Sequence, residues 1–174
     1  MTYFGIVPSW RIRKEGFENI DRSKAYVVIV NHRSMLDIVL MYALPLVFKW
    51  VSKKEVYKWP LFGWVLWMHG DITIERGTGR AVRKMIREGG KWLSRGVSVI
   101  TFPEGSRSKE ARLGRFREGA FVMAKNAGVG ILPCVSEGTG TAFNGWRLNF
   151  RNKFRLRVLP PMSAEEVQAS DPRE

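Results

Sequence analysis

The stretch Ala25-Tyr26-Val27-Val28-Ile29-Val30, which runs directly into Asn31-His32-Arg33-Ser34-Met35-Leu36-Asp37, decides the fold. Its first six residues are apolar, mostly β-branched, and show no polar alternation. Both faces of the strand they form must therefore be buried. Such a strand belongs inside a parallel or mixed sheet, where helices cover both sides. The apolar spacing from Ser34 to Leu44 reads as a helix, so the chain steps from buried strand to helix within a few residues.

Outward from this unit the same step repeats. Val47 to Ser52 reads as a strand, Leu61 to Met68 as a short helix, and Asp71 to Ile74 as a strand closing on Glu75-Arg76-Gly77. A helix is predicted from about Gly79 to Arg95, with Val82, Met85, Ile86 and Leu93 on one face and Arg80, Arg83, Lys84, Arg87 and Lys91 on the other. Val97 to Phe102 is a second buried-type strand, opening into Pro103-Glu104-Gly105-Ser106-Arg107-Ser108. A helix near Glu118 to Asn126 and a strand from Ile131 to Val135 follow. From Arg147 to Val158 the alternation reads as one strand, with Leu148, Phe150, Phe154, Leu156 and Val158 inward and a row of cations outward. The expected fold is α/β, with a mixed, largely parallel central sheet flanked by helices. It is expected to form a single domain over residues 1–174 with a core at about 24–160.

Composition narrows the function classes. The chain has 174 residues, 45% hydrophobic and 26% charged, which excludes intrinsic disorder. Its formal charge of +13 points to an anionic partner. One cysteine, Cys134, excludes an intramolecular disulfide, and with two histidines it cannot build a Cys/His zinc site within one chain. Cys134 sits in an apolar strand and reads as a small core residue. No stretch reaches the roughly 18 apolar residues of a membrane-spanning helix. The first ten residues lack the pattern of a signal peptide.

The sharpest constellation is His32 with Asp37. A five-residue step on a regular helix turns about 140°, so the two face each other only if His32 sits at the strand-to-helix junction. That junction lies at the carboxyl end of a sheet strand, where α/β folds place their sites. An aspartate accepting from one imidazole nitrogen would fix the tautomer and leave the other nitrogen as a base. The plain alternative is a hydrogen-bonded capping histidine. His69, beside Asp71, reads as structural.

Three further segments, with the first, resemble the glycerolipid acyltransferases, in particular the 1-acyl-sn-glycerol-3-phosphate (lysophosphatidate) acyltransferases. His32-x-x-x-x-Asp37 matches that family's first motif. Lys53-Lys-Glu-Val-x-x-x-Pro60-x-x-Gly63, continuing to Gly70-x-Ile72-x-x-x-Arg76, resembles the second. Phe102-Pro-Glu-Gly-Ser-Arg-Ser108 matches the third, and Ile131-Leu-Pro-Cys-Val135 is similar to the fourth. The resemblance implies transfer of a fatty acyl group from acyl-CoA or acyl carrier protein to a lysophospholipid hydroxyl, with His32 as base and Asp37 holding it. No metal and no bound cofactor are implied, the thioester being a co-substrate. It assigns the acceptor phosphate to the second and third motifs: Arg107 and Arg76 as guanidinium forks, Lys53 as a third cation, with Ser106 beside them. Glu104 is expected to orient Arg107 or bind an acceptor hydroxyl, and Gly105 to let the backbone approach closely. Pro133 is open between a strand-end role and substrate contact.

Family members often carry apolar anchoring helices before the first motif, and only 30 residues precede Asn31 here. The expectation is peripheral docking on an anionic membrane at its cytoplasmic face, or a truncated form. Trp50, Trp59, Trp64 and Trp67 suit an interface or an acyl groove as well as a core. Relatives that use glycerol 3-phosphate or other lyso-lipids share the His/Asp pair, so those acceptors, a transacylase and a non-catalytic lipid-binding relative stand as alternatives. Nucleic acid is not an expected partner, because no recognisable binding motif accompanies the charge.

Overall fold

The computed structural model describes residues 2–3, 10–58, 62–75, 79–107, 113–144, 147–149 and 151–171. In chain order the elements are β1 (Thr2–Tyr3), β2 (Arg11–Glu15), β3 (Tyr26–Val30), α1 (Leu36–Met41), β4 (Phe48–Lys53), α2 (Phe62–His69), β5 (Ile72–Ile74) and α3 (Gly79–Leu93). These are followed by β6 (Ser98–Thr101), α4 (Gly119–Ala127), β7 (Gly130–Glu137), β8 (Phe143–Asn144), β9 (Arg147–Leu148), β10 (Lys153–Val158) and α5 (Ala164–Ala169). No described helix is long and apolar enough to cross a membrane.

Eight strands form one sheet in the order β1-β2-β10-β7-β3-β6-β4-β5. The run β7-β3-β6-β4-β5 is parallel throughout, while β10 is antiparallel to β7 and β1 to β2. Strand β3 lies within the sheet, as its unbroken apolar run requires. Val28 and Val30 enter one core with Leu40 and Met41 of α1, and Val27 enters the other with Met85 of α3 and Met123 of α4. Each such side chain, fully buried, contributes roughly 1.5–3 kcal/mol. The parallel run aligns the carboxyl ends of β3, β4, β6 and β7 along one edge, and His32, Asp37, Lys53 and the residues from Phe102 to Arg107 lie at or just beyond those ends.

Four expectations are corrected. The strand expected over 147–158 is broken into β9 and β10 by a turn in which Asn152 N–H donates to Asn149 O and Arg151 N–H to Asn149 Oδ1. Asparagine side chains that bond their own backbone two residues on make turns in otherwise strand-like sequence. Nor is the outer face of β10 a free row of cations: Arg155 pairs with Glu137 at 3.1 Å and Arg157 with Glu15 at 2.9 Å. Glu15 belongs to β2, a charged strand that packs only Ile12 inward and pairs with β10, so the sheet begins before residue 24. On α3 the buried row is Ala81, Met85, Gly89 and Leu93, and Val82 is exposed. Helix α5 carries a capping box, Ser163 with Glu166.

Candidate active site

At the end of β3 the chain leaves the sheet through Asn31 and His32 and turns into α1 at Leu36. This irregular junction lets the two side chains meet: His32 Nδ1 lies 3.0 Å from Asp37 Oδ2. The same oxygen accepts from Arg33 N at 2.7 Å and Ser34 N at 2.8 Å, satisfying N–H groups that the start of the helix leaves unpaired. Oδ1 accepts from the hydroxyl of Ser136 on β7. Asp37 is completely buried and His32 nearly so. Burial alone pushes the Asp37 carboxyl upward, but the bonds from His32, Ser136 and the Ser34 backbone outweigh it and hold the group below its ordinary value. The buried Thr139 hydroxyl adds a smaller pull in the same direction. An ionised Asp37 makes Nδ1 the protonated nitrogen and leaves Nε2 free.

The His32 ring stacks on Phe102, centroids 3.8 Å apart, and Phe102 in turn on Trp50 at 5.4 Å. These rings form one wall of a cleft of about 790 Å³. Met35, Ile38, Val51 and Val56 extend its apolar lining, while Arg33, Lys53, Ser106 and Arg107 supply its polar rim. Lys53 and Arg107 therefore stand in one cavity with His32, although they are 54 positions apart in the chain. Arg76 lies outside the described residues, as do Trp59 and Pro60.

Glu104 engages two backbone groups. Its Oε1 accepts the backbone N–H of His32 at 3.0 Å and its Oε2 that of Gly114 at 2.9 Å. Among the described residues it forms no ion pair with Arg107. Its carboxylate ties the His32 backbone to the loop that follows the third segment, which makes it a positioning residue. Gly105 has φ 75°, and a Cβ there would come within 2.8 Å of Arg117 Nε, so the loop admits no side chain at that point. Cys134 is buried in the sheet and its thiol is pushed up to about 12 by burial, so it stays protonated and inert at neutral pH. Pro133 lines a neighbouring cavity of about 450 Å³ with Leu113, Phe116 and Leu159, outside the His32 cleft.

Sequence reading missed Arg33 on the cleft rim, and also Asn31 and Ser136 beneath the pair. Asn31 stands beside a recognised motif, but nothing local marks Ser136, which reaches Asp37 across 99 residues.

With this geometry in place, the comparisons are specific. A family model described as Acyltransferase matches residues 11–137, from β2 to the end of β7. The chain belongs to the acyltransferase family. The match covers every strand that frames the cleft. A chloroplastic 1-acyl-sn-glycerol-3-phosphate acyltransferase of Arabidopsis thaliana is 39% identical over 88% of this chain and 44% of its own length. The alpha form of that enzyme from Mus musculus is 32% identical over 92% of this chain and 58% of its own. Among solved structures, the 1-acyl-sn-glycerophosphate acyltransferase PlsC of Thermotoga maritima superposes with a TM-score of 0.73 and 28% identity, over 88% of this chain and 62% of that one. The chain thus spans about half the length of the curated relatives it matches.

Proposed function

We propose that this acyltransferase domain moves a fatty acyl group from a thioester, acyl-CoA or acyl carrier protein, to the sn-2 hydroxyl of 1-acyl-sn-glycerol 3-phosphate, forming phosphatidate. The observation that carries the reading is the buried His32–Asp37 pair opening into a cleft whose rim holds Lys53 and Arg107 and whose walls are apolar. The comparisons support the acceptor, since the relatives named above are enzymes of that substrate.

In this mechanism His32 Nε2 takes the proton of the acceptor hydroxyl as its oxygen attacks the thioester carbonyl. The new C–O ester bond forms, the C–S bond breaks, and the proton passes from His32 to the departing thiolate. Asp37 holds the imidazole and stabilises its positive charge during the step, and no covalent acyl-enzyme is formed. Such a base contributes about 10²- to 10⁴-fold, and positioning of the acceptor supplies more. Arg107 and Lys53 suit the acceptor phosphate, with Arg76 as a further cation. Met35, Ile38, Val51 and Val56 suit an acyl chain.

A lipid substrate is met at a membrane surface. Peripheral docking is supported by Trp64, Trp67 and Met68, which share one face of α2, each about three-quarters exposed (76%, 75% and 72%). The cationic face of α3 favours an anionic lipid surface. The test is thiol release from a long-chain acyl-CoA in the presence of 1-acyl-glycerol 3-phosphate, repeated with acyl carrier protein as donor. Phosphatidate formed by the wild-type chain and absent with His32→Ala is the expected result. Transfer to glycerol 3-phosphate alone would reassign the acceptor. Lipid binding without transfer from either donor would overturn the enzymatic reading.

A further inference from the structure

Beneath the His32–Asp37 pair lies a polar arrangement that the motifs do not include. The ladder between β3 and β7 ends with Val30 opposite Cys134, one residue short of Asn31. Beyond it, the Asn31 side chain takes over: Oδ1 accepts from Ser136 N at 2.8 Å and Nδ2 donates to Ser136 O at 3.0 Å. Both backbone groups of Ser136 are fixed by this one amide, and the Ser136 hydroxyl is then aimed at Asp37 Oδ1. Ser136 is 1% exposed and Asp37 0%, so bulk water does not compete for these bonds.

The two oxygens of Asp37 are unequally provided for. Oδ2 meets three nitrogens, from His32, Arg33 and Ser34, whereas Oδ1 takes its hydrogen bond from the Ser136 hydroxyl, with Thr139 a smaller influence on the carboxyl. Without that hydroxyl the buried Oδ1 would lose its hydrogen-bond donor, leaving among the described residues the smaller pull of Thr139 against the cost of burial, which favours rotation or protonation of the carboxyl. Either change takes Oδ2 from His32 Nδ1 and releases the imidazole tautomer. Glu104 holds the His32 backbone but touches neither oxygen of Asp37, so it does not duplicate this function.

We infer that Ser136, clamped by Asn31, is a positioning residue that fixes the Asp37 carboxylate so that it orients the His32 imidazole. It acts through Asp37 and does not line the His32 cleft. The inference rests on the reading of His32 as the base.

The experiment compares Ser136→Ala, Ser136→Thr, Asn31→Ala and the Asn31→Ala/Ser136→Ala pair with the wild-type chain. Ser136→Ala is expected to lower kcat about 10- to 100-fold, the range for a buried bond to a charged group. KM for thioester and lyso-lipid should stay within about twofold, because no substrate contact is lost. The acid limb of the kcat/KM profile should move to lower pH, since a displaced or protonated Asp37 no longer favours a positive charge on the His32 ring. Ser136→Thr, which keeps the hydroxyl, should restore kcat, and the double variant should be no worse than Ser136→Ala because the two residues act as a unit.

An activity-independent readout separates failure of the inference from failure of the acyl-transfer reading. The downfield Nδ1–H proton resonance of His32, identified by its loss in His32→Ala, should shift or broaden in Ser136→Ala. If Ser136→Ala does not fold, Ser136→Cys, similar in shape with a weaker donor, carries the same comparison. A folded Ser136→Ala with wild-type kcat, pH profile and Nδ1–H resonance would overturn the inference. So would a loss confined to KM, or one that Ser136→Thr does not restore.

Discussion

Two histidine–aspartate pairs occupy this domain, and the tighter one is not the candidate base. His69 Nδ1 lies 2.6 Å from Asp71 Oδ1, closer than the 3.0 Å between His32 and Asp37, and both aspartates are fully buried at the side chain. The surroundings differ. Asp71 Oδ1 also accepts the Trp50 backbone N–H while its Oδ2 has no hydrogen-bond partner among the described residues, and the His69 carbonyl accepts from Lys49 Nζ. That pair fastens the end of α2 to the start of the β4–β5 edge. His32–Asp37 stands instead at the carboxyl ends of the parallel strands, with donors on both Asp37 oxygens and the imidazole on a cleft wall. A short His–Asp distance is therefore no argument by itself for a catalytic pair; the proposal for His32 rests on its open face on a cavity and on a carboxylate with both oxygens bonded.

The largest expected effect tests this contrast directly. His32→Ala should lower kcat for acyl transfer by about 10²- to 10⁴-fold, while His69→Ala should leave kcat within about twofold, measured by thiol release. Equal losses would abolish the distinction. Next, Asp37→Asn should lower kcat on a comparable scale, because an amide cannot enforce the imidazole tautomer as a carboxylate does, a substitution worth about 10⁴-fold in the serine protease triad. Arg107→Ala sharpens the other half of the contrast, the cleft. It should raise KM for the phosphate-bearing acceptor about 10- to 100-fold with a smaller change in kcat, as expected for a lost charged hydrogen bond.

His69→Ala should instead appear in denaturant unfolding, costing about 1–3 kcal/mol by leaving Asp71 less satisfied. The smallest effect is in pH. The folded Asp37 carboxyl lies below its ordinary 3.8, so its contribution is complete above that value. It declines as acid protonates the unfolded chain and disappears as pH falls through the lowered folded value. The stability difference between wild type and Asp37→Asn should accordingly shrink between about pH 5 and pH 3 in chemical denaturation.

Much of this was legible in the residues. The strand at 26–30 and its burial on both faces followed from an unbroken β-branched run, and the meeting of His32 with Asp37 from the requirement that His32 precede the regular helix. Local patterns of this kind carry their own physics. The turn between β9 and β10 was hidden because alternation continues through it, and it is made by the Asn149 side chain, which accepts the Arg151 N–H, and by the Asn149 carbonyl, which accepts the Asn152 N–H. β2 was hidden for the opposite reason: four of its five residues, Arg11-Ile12-Arg13-Lys14-Glu15, are charged, and it is a strand because β10 offers it a partner and arginines for Glu15. Glu104, expected from its motif to orient Arg107 or bind an acceptor hydroxyl, bonds two backbone N–H groups, one of them 72 residues away.

The sequence by itself determined which strands are buried, that strands and helices alternate, and that a histidine and a carboxylate sit together at a strand end. These depend on side-chain periodicity and on spacings of a few residues, which local geometry fixes. Only the tertiary structure decided that Lys53 and Arg107 share a cleft with His32, that Ser136 rather than a neighbour completes Asp37, and that Arg155 and Arg157 of β10 face Glu15 and Glu137. Each of these joins residues from different strands, and their proximity is set by the order and register of the sheet, which no local pattern of side chains encodes.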